Sequence, residues 1–353
     1  MGGGWETKRS RTKGHKDWVV IKLGVPGVLE HIEVDTHHFK GNFPESCEVH
    51  GLYTDTSIDW KAHESQEADW ALILPRTKLG PHRQHYFQFE NTEGKIHSHI
   101  KVTIHPDGGL QRIRIMGSKS GLNRLNVERA AMSALAPATT PRTTEVTPTL
   151  LSSTKSVPVL PLTPEGFAPF GKVIQGYTDL YAAPKGIQIT PANAGSAYKF
   201  HKLCLIESSY PAEANNATSG ISIYRCQPCK DITNDGYIEL KVLERHPFTN
   251  QVFIPMGPGT GEGIRDPGLK YLVVVAHNGT DDRPDPDTLR AFVASAAQGI
   301  AYNTGVWHQP MAVLEKEMDF ACVETQIGDG SIADCEIVEL ADNDVVRLRL
   351  ATT

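Results

Sequence analysis

The 353-residue chain has little of what the special protein classes require. Its six cysteines (Cys47, Cys204, Cys226, Cys229, Cys322 and Cys335) are too few and too scattered for a disulfide framework, so a reducing, cytoplasmic setting is the default. Long apolar runs are missing too. The longest, residues 271–276, is far too short to cross a bilayer and reads as a buried strand. The opening Met-Gly-Gly-Gly-Trp has no apolar signal segment, and the closing Leu-Ala-Thr-Thr is no retention or peroxisomal address. Positive charge is not in excess. With 35 Lys and Arg against 41 Asp and Glu, the net charge of −6 gives no electrostatic case for nucleic acid or an anionic membrane as partner. No internal repeat is visible.

What is present reads as β structure in two parts. Residues 1–117 hold short runs rich in β-formers, among them Trp18-Val-Val-Ile-Lys-Leu, His31-Ile-Glu-Val-Asp-Thr and Ile100-Lys-Val-Thr-Ile. Turn residues such as Gly24-Val-Pro-Gly27 and Pro106-Asp-Gly-Gly109 separate them, and polar–apolar alternation predicts a sandwich or jelly roll with one face solvated. Residues 118–156 change character. A short helix is expected over 123–136, followed by a Pro-, Ala- and Thr-rich linker with too few large apolar residues to offset the entropy of ordering. A second domain, 157–345, opens with Thr163-Pro-Glu-Gly-Phe167, a hydroxyl N-cap with Pro and an acid in the first turn. Strands then follow to its end, with one helical turn expected at 285–292.

Chemistry concentrates in two stretches of the second domain. In Glu244-Arg-His246-Pro, the acid and the imidazole are two apart and share one strand face; Gln251 opens the next strand. In Gly299-Ile-Ala-Tyr302-Asn-Thr-Gly305-Val-Trp307-His308-Gln-Pro310, glycines suit tight turns between short extended segments. This order resembles the cupin double-stranded β-helix, with Glu244 where a first His usually sits and Gln251 where an acid usually sits. Those replacements predict a weak or absent metal; no cofactor is required, and a divalent ion, if bound, would be held by Glu244, His246, Gln251 and His308.

A closer resemblance covers nearly all of 157–340. Asn193-x-Gly195 with Lys199-Phe-His201, Tyr224-Arg-Cys-Gln-Pro228, Glu244-Arg-His-Pro247 with Gln251-x-Phe253-x-Pro255, Pro284-Asp-x-x-x-Leu-Arg-Ala-Phe292, the 299–310 stretch, and Asp319-Phe320 with Asp334-Cys335 occur in the order of the ureidoglycolate lyase family. The first domain is similar to allantoicase through Gly4-Trp-Glu-Thr-Lys-Arg-Ser-Arg11, Gly14-His-x-Asp-Trp18 and Val34-Asp-Thr-x-His-Phe-Lys-Gly-Asn-Phe-Pro44. That family carries two jelly-roll repeats, of which this chain matches most of the second, so a truncated repeat of doubtful activity is expected.

The resemblance implies an all-β chain: an allantoicase-like jelly roll joined to a cupin-like barrel. It also implies an enzyme of purine catabolism that splits ureidoglycolate into glyoxylate and urea, and a homo-oligomer such as a homodimer. His246 or His308 would take the hydroxyl proton, and Arg225 or Lys199 would clamp the carboxylate. Glu244 would orient a His, Gln251 and Tyr302 would hold the ureido group, and Asn193 would line the substrate site.

Other readings compete. A bifunctional chain would also hydrolyse allantoate. A metal-dependent cupin isomerase or dioxygenase would need stoichiometric metal, and a non-catalytic carbohydrate-binding or storage-type protein would release no urea. Without the resemblance, His246 reads as structural, Arg225 as half of a surface ion pair and Lys199 as a solvated side chain. Trp307 and Phe253 read as core. Cys226-x-x-Cys229 lacks the second pair that a zinc site needs. Eleven of the fifteen histidines precede residue 106. Of these, His37-His38, His82-x-x-His85 and His97-x-His99 could each form a metal pair, but no acid or Cys at ligand spacing accompanies them. Surface or substrate-facing imidazoles are therefore favoured.

Overall fold

The computed structural model describes residues 3–55, 70–119, 155–212, 216–230, 232–233, 236–257, 269–341 and 345–350. The expected helix at 123–136 and the Pro/Thr-rich linker lie outside the described residues. The described chain is all β apart from isolated helical turns.

In the first domain, the 19-residue strand Asp17–Asp35 ties the sandwich together. Its first half pairs with Ile96–His105; its second half pairs with Arg112–Lys119 and Gln84–Gln88. Ser46–Leu52 and Ala71–Lys78 extend the Ile96–His105 side. The expected turn at 24–27 is instead a bulge inside that long strand. The register steps from Lys22↔His99 to Gly27↔His97, so extra residues bend the strand without ending it. Gly27 is needed there because a Cβ would collide with the Ser118 carbonyl. Ile32, Val34, Val49, Ile73, Ile100 and Val102 fill the core beneath.

The second domain has two facing sheets. One runs Gly171–Ile174, Gly299–Tyr302, Gln251–Pro255, Met318–Gln326, Thr218–Cys226. The other includes Ser156–Pro161, Arg290–Ser295, Lys270–Ala276, Trp307–His308, Val242–Arg245 and Glu336–Glu339. Phe253, Tyr271, Tyr302 and Phe320 pack edge to face between them. Lys270–Ala276 is buried on both faces, with Leu272 and Val274 turned to a second apolar cluster that holds Trp307, Val157 and Leu348. The expected helical turn at 285–292 is a 3-10 turn, Pro286–Thr288, followed at once by strand.

The helix-start signal works as expected: Thr163 Oγ1 accepts the Gly166 N–H (3.1 Å) above Pro164–Phe167. Its first-turn acid has a second task. The buried Glu165 carboxylate reaches into the first domain, 3.7 Å from the equally buried Arg83 guanidinium. His85, 3.8 Å away, is no ion partner. Its Nδ1–H donates to the Val34 carbonyl (2.9 Å) and its Nε2 accepts the Gly80 N–H (2.7 Å), so the ring is neutral. Burial lowers its pKa accordingly. Around this pair, Asp179 bonds Lys40 (2.7 Å), Lys185 lies over Phe43, Arg290 reaches Glu90 (3.3 Å), and Arg349 pairs with Glu30. The two domains are docked through charge, with the Glu165–Arg83 pair buried and the pairs around it partly solvated.

Removing one partner of a buried pair leaves the other charge uncompensated. Glu165→Ala should therefore cost about 3 kcal/mol in urea unfolding, against less than about 1 kcal/mol for Glu30→Ala at the more exposed pair. Equal costs would show that the Glu165–Arg83 contact carries no special weight.

Candidate active site

Directly opposed residues of neighbouring strands project to the same side, and two such polar pairs face inward. Glu244 and His308 are direct cross-strand partners on one sheet, and Gln251 and Tyr302 are direct partners on the other. His246 follows one residue beyond its strand, and its carbonyl accepts the Gly305 N–H (3.0 Å), which joins the two sequence stretches in space. Gly305 itself sits at φ +74°, where a side chain would be strained. The Tyr302 ring stacks on His308 (3.9 Å between centroids, 12° between planes), and His246 lies 5.6 Å from His308.

Both imidazoles have an outer nitrogen that is held. His308 Nδ1 is 2.9 Å from the Val306 carbonyl and His246 Nδ1 is 2.7 Å from the Asp334 carbonyl. A carbonyl only accepts, so each Nδ1 carries the proton and each Nε2 presents a lone pair. Those two Nε2 atoms, together with Gln251 Oε1 and Tyr302 Oη, are buried and have no partner. What marks this place for a ligand is that the four lie together, on two couples of directly paired residues and one adjoining histidine. Gln251 is oriented by its Nε2–H, which donates to Glu324 Oε2 (2.8 Å), leaving Oε1 inward. Glu244, His246 and His308 offer ligand atoms within 4.8 Å of one another.

Burial shapes the protonation states. It lowers the His308 pKa to about 3, with His246 adding repulsion, so His308 is neutral throughout the physiological range. It raises that of the Glu244 carboxyl and holds the Tyr302 phenol well above its ordinary value. It also pushes the Cys335 thiol to about 12, so the thiol remains a donor to Glu244 Oε2 at 3.8 Å.

Three candidates from the sequence are not part of this cluster. Arg225 points outward with 65% of its side chain exposed and forms a two-pronged pair with Asp319 (2.9 Å on each prong). It lies on the outward phase of Thr218–Cys226, so it cannot clamp a substrate inside the barrel. Lys199 and Asn193 are exposed on a separate hairpin, Ile189–Ala192 with Ala197–Phe200, where Asn193 forms the turn at φ +48°. Conversely, the inward neighbour of Arg225 is Tyr224, whose ring meets Phe253 and whose phenol is raised by burial and by Glu324. Glu324 is legible as an acid on the inward phase of Phe320-x-Cys322-x-Glu324; Tyr224 carries no comparable signal.

The first-domain histidines divide between interior and partly exposed positions. His85, His97 and His99 are buried, contrary to the surface reading. His37, His38 and His82 do come together. However, His82 Nδ1 accepts the His38 N–H (2.7 Å), so its proton lies on Nε2, which faces Asp179 Oδ2 at 3.5 Å. Neither nitrogen of that ring then offers a lone pair to an ion. Trp307 and Phe253 are core, as expected.

Comparison with known proteins places both domains. Residues 154–347 match the ureidoglycolate lyase family, and residues 1–120 match the allantoicase repeat. The first domain is 42% identical over 120 residues to a probable allantoicase of Schizosaccharomyces pombe, covering 34% of each chain. It is 46% identical over 116 residues to an allantoicase of Dictyostelium discoideum, covering 33% of this chain and 31% of that one. A solved allantoicase from Saccharomyces cerevisiae is 40% identical, with 33% and 31% covered and a TM-score of 0.27. The chain thus spans about a third of the length of the curated relatives it matches.

The His308 environment sets a pH dependence. Its folded pKa lies below its ordinary 6.5, so the unfolded state binds the proton more readily. The corresponding stability is present above about pH 6.5 and is lost as pH falls toward 3. In chelator, wild type should lose about 2 kcal/mol more than His308→Gln between pH 7 and pH 5, read by urea unfolding. Identical losses would mean that His308 is not held neutral by its site.

Proposed function

The chain belongs to the ureidoglycolate lyase family, and on that footing we propose that it cleaves ureidoglycolate to glyoxylate and urea. It carries an allantoicase repeat ahead of the lyase domain. The observation that carries the reading is the set of four buried, unpartnered atoms: two imidazole lone pairs, an amide oxygen and a phenol. The substrate's central carbon bears a hydroxyl, a carboxylate and a ureido nitrogen. Cleavage moves the hydroxyl proton to that nitrogen as the C–N bond breaks and the C=O bond forms, and no water is consumed.

His246 Nε2 takes the hydroxyl proton and returns it to the departing nitrogen. His308 is too weak a base for that exchange near neutral pH, because the best proton carriers titrate near the working pH. Gln251 Oε1 accepts from a ureido N–H, and the Tyr302 phenol, held protonated, donates to the ureido carbonyl. Arg225 is committed to Asp319, so another cation must meet the carboxylate. With His246 serving as the base, the Glu244 carboxylate and the bare Nε2 of His308 are left to hold a divalent metal, His308 already being in the ligand tautomer. When bound, such an ion supplies positive charge to the substrate's carboxylate and hydroxyl oxygens.

The purified chain should form glyoxylate from ureidoglycolate and release no urea from allantoate. His246→Ala should lower glyoxylate formation by about a hundredfold or more and keep its metal, whereas His308→Ala should lose both. Wild-type turnover in His246→Ala would remove it as the proton carrier, and urea from allantoate would show a second working site.

We also propose a cytoplasmic homo-oligomer. All six cysteines are free, and no helix of the described residues is long and apolar enough to cross a membrane. Thr218–Cys226 is the edge of its sheet among the described strands, with Ile221 and Ile223 exposed at 75% and 57% on its outer face. A nine-residue edge without Lys or Pro invites strand pairing. Ile223→Lys should shift sedimentation to the monomer; an unchanged oligomer would place the contact elsewhere.

A further inference from the structure

The loop between Met318–Gln326 and Glu336–Glu339 ends in Asp334 and Cys335, and this dipeptide touches both members of the Glu244-x-His246 motif. The Asp334 carbonyl accepts His246 Nδ1–H at 2.7 Å, while the Cys335 thiol lies 3.8 Å from Glu244 Oε2. The Asp334 side chain does something separate. Its Oδ1 accepts from the Ile327 N–H (2.7 Å) and the Tyr210 hydroxyl (2.7 Å), and its Oδ2 accepts from the Gly328 N–H (2.7 Å). Three short bonds to one buried carboxylate close the loop on itself and pin it to Tyr210, a residue from a distant part of the chain. The backbone supports the same closure, with Asp334 N–H bonded to the Ser331 carbonyl at 3.0 Å.

An imidazole has two neutral tautomers of similar energy, and the hydrogen bond on one nitrogen decides which is populated. Here the deciding acceptor is a loop carbonyl, and a carbonyl can decide only if the loop holds it in place. We propose that Asp334 is a positioning residue: its carboxylate clamp fixes the carbonyl that commits His246 to the tautomer with a bare, inward Nε2. It touches no substrate. This rests on His246 serving the proposed lyase reaction, although the tautomer itself can be read without substrate.

The test uses the full chain with 15N-labelled histidine, His246 being assigned by the loss of its signal in His246→Gln. Wild type should show His246 protonated at Nδ1 and bare at Nε2. Asp334→Asn puts an amide where an N–H must be accepted, so the His246 signals should move toward a mixture of tautomers. On ureidoglycolate, kcat should fall by about 10- to 100-fold with KM moved by less than about threefold, the usual range for a partner that orients a working His. In a His246→Ala background, Asp334→Asn should then cost nothing further. Tyr210→Phe removes one of the three clamp bonds and should give a smaller shift in the same direction, which keeps the test open if Asp334→Asn does not fold. An unchanged His246 tautomer in the variants that fold, or an undiminished cost of Asp334→Asn without His246, would overturn the proposal. Should wild type form no glyoxylate while the tautomer still shifts, the lyase reading fails and the clamp stands.

Discussion

Everything at the centre of the second domain depends on two carbonyl oxygens that each hold an imidazole from behind. Val306 and Asp334 take the Nδ1 protons of His308 and His246, and only for that reason do both Nε2 lone pairs face inward. A buried lone pair without a donor is costly, and this barrel keeps two, beside an amide oxygen and a phenol. The rest of the domain offsets that cost. Phe253, Tyr271 and Phe320 close one side of the site, and the doubly buried strand Lys270–Ala276 supports His308 through its pairing with Val275. The fold is stable around a polar gap because the apolar layers on either side of it are complete.

A similar logic runs through the domain seam. Charged groups there are not decoration on a surface but the means by which two β domains recognise one another: Glu165 with Arg83, Asp179 with Lys40, Arg290 with Glu90. Glu165 is instructive because one carboxylate serves two scales, as the acid of a helix first turn and as the partner of a cation more than eighty residues earlier. An allantoicase repeat thus meets a lyase domain through side chains that find their opposite charges only across the seam.

The barrel site is partly legible in the order of residues alone. Glu244, His246, Gln251, Tyr302 and His308 can be gathered because period-two alternation places i and i+2 on one face, and because a glycine-marked turn at Gly305 separates two short strands. Arg225 misleads for a matching reason. It follows an apolar run and sits inside a block shared with the family, but a one-residue change of phase moves a side chain from the pocket to the solvent. Its partner Asp319 is ninety-four residues away, so no local pattern shows that the guanidinium is already engaged. Gly24-Val-Pro-Gly27 misleads differently: turn residues also build bulges, and only the partner strand decides which.

Local alternation and motif order suffice for the class of the two domains, the strands that line the pocket and most of the side chains that face it. They do not reach which nitrogen of each histidine is bare, how far His308 is driven from its ordinary pKa, or that Asp334 stands behind His246. Nor do they reach the charged seam that the two domains share, or the burial of Glu165 against Arg83 within it. Those properties arise only when the chain is folded, because they depend on desolvation and on hydrogen bonds between residues tens to hundreds of positions apart. A chain read in order contains neither distance nor dielectric.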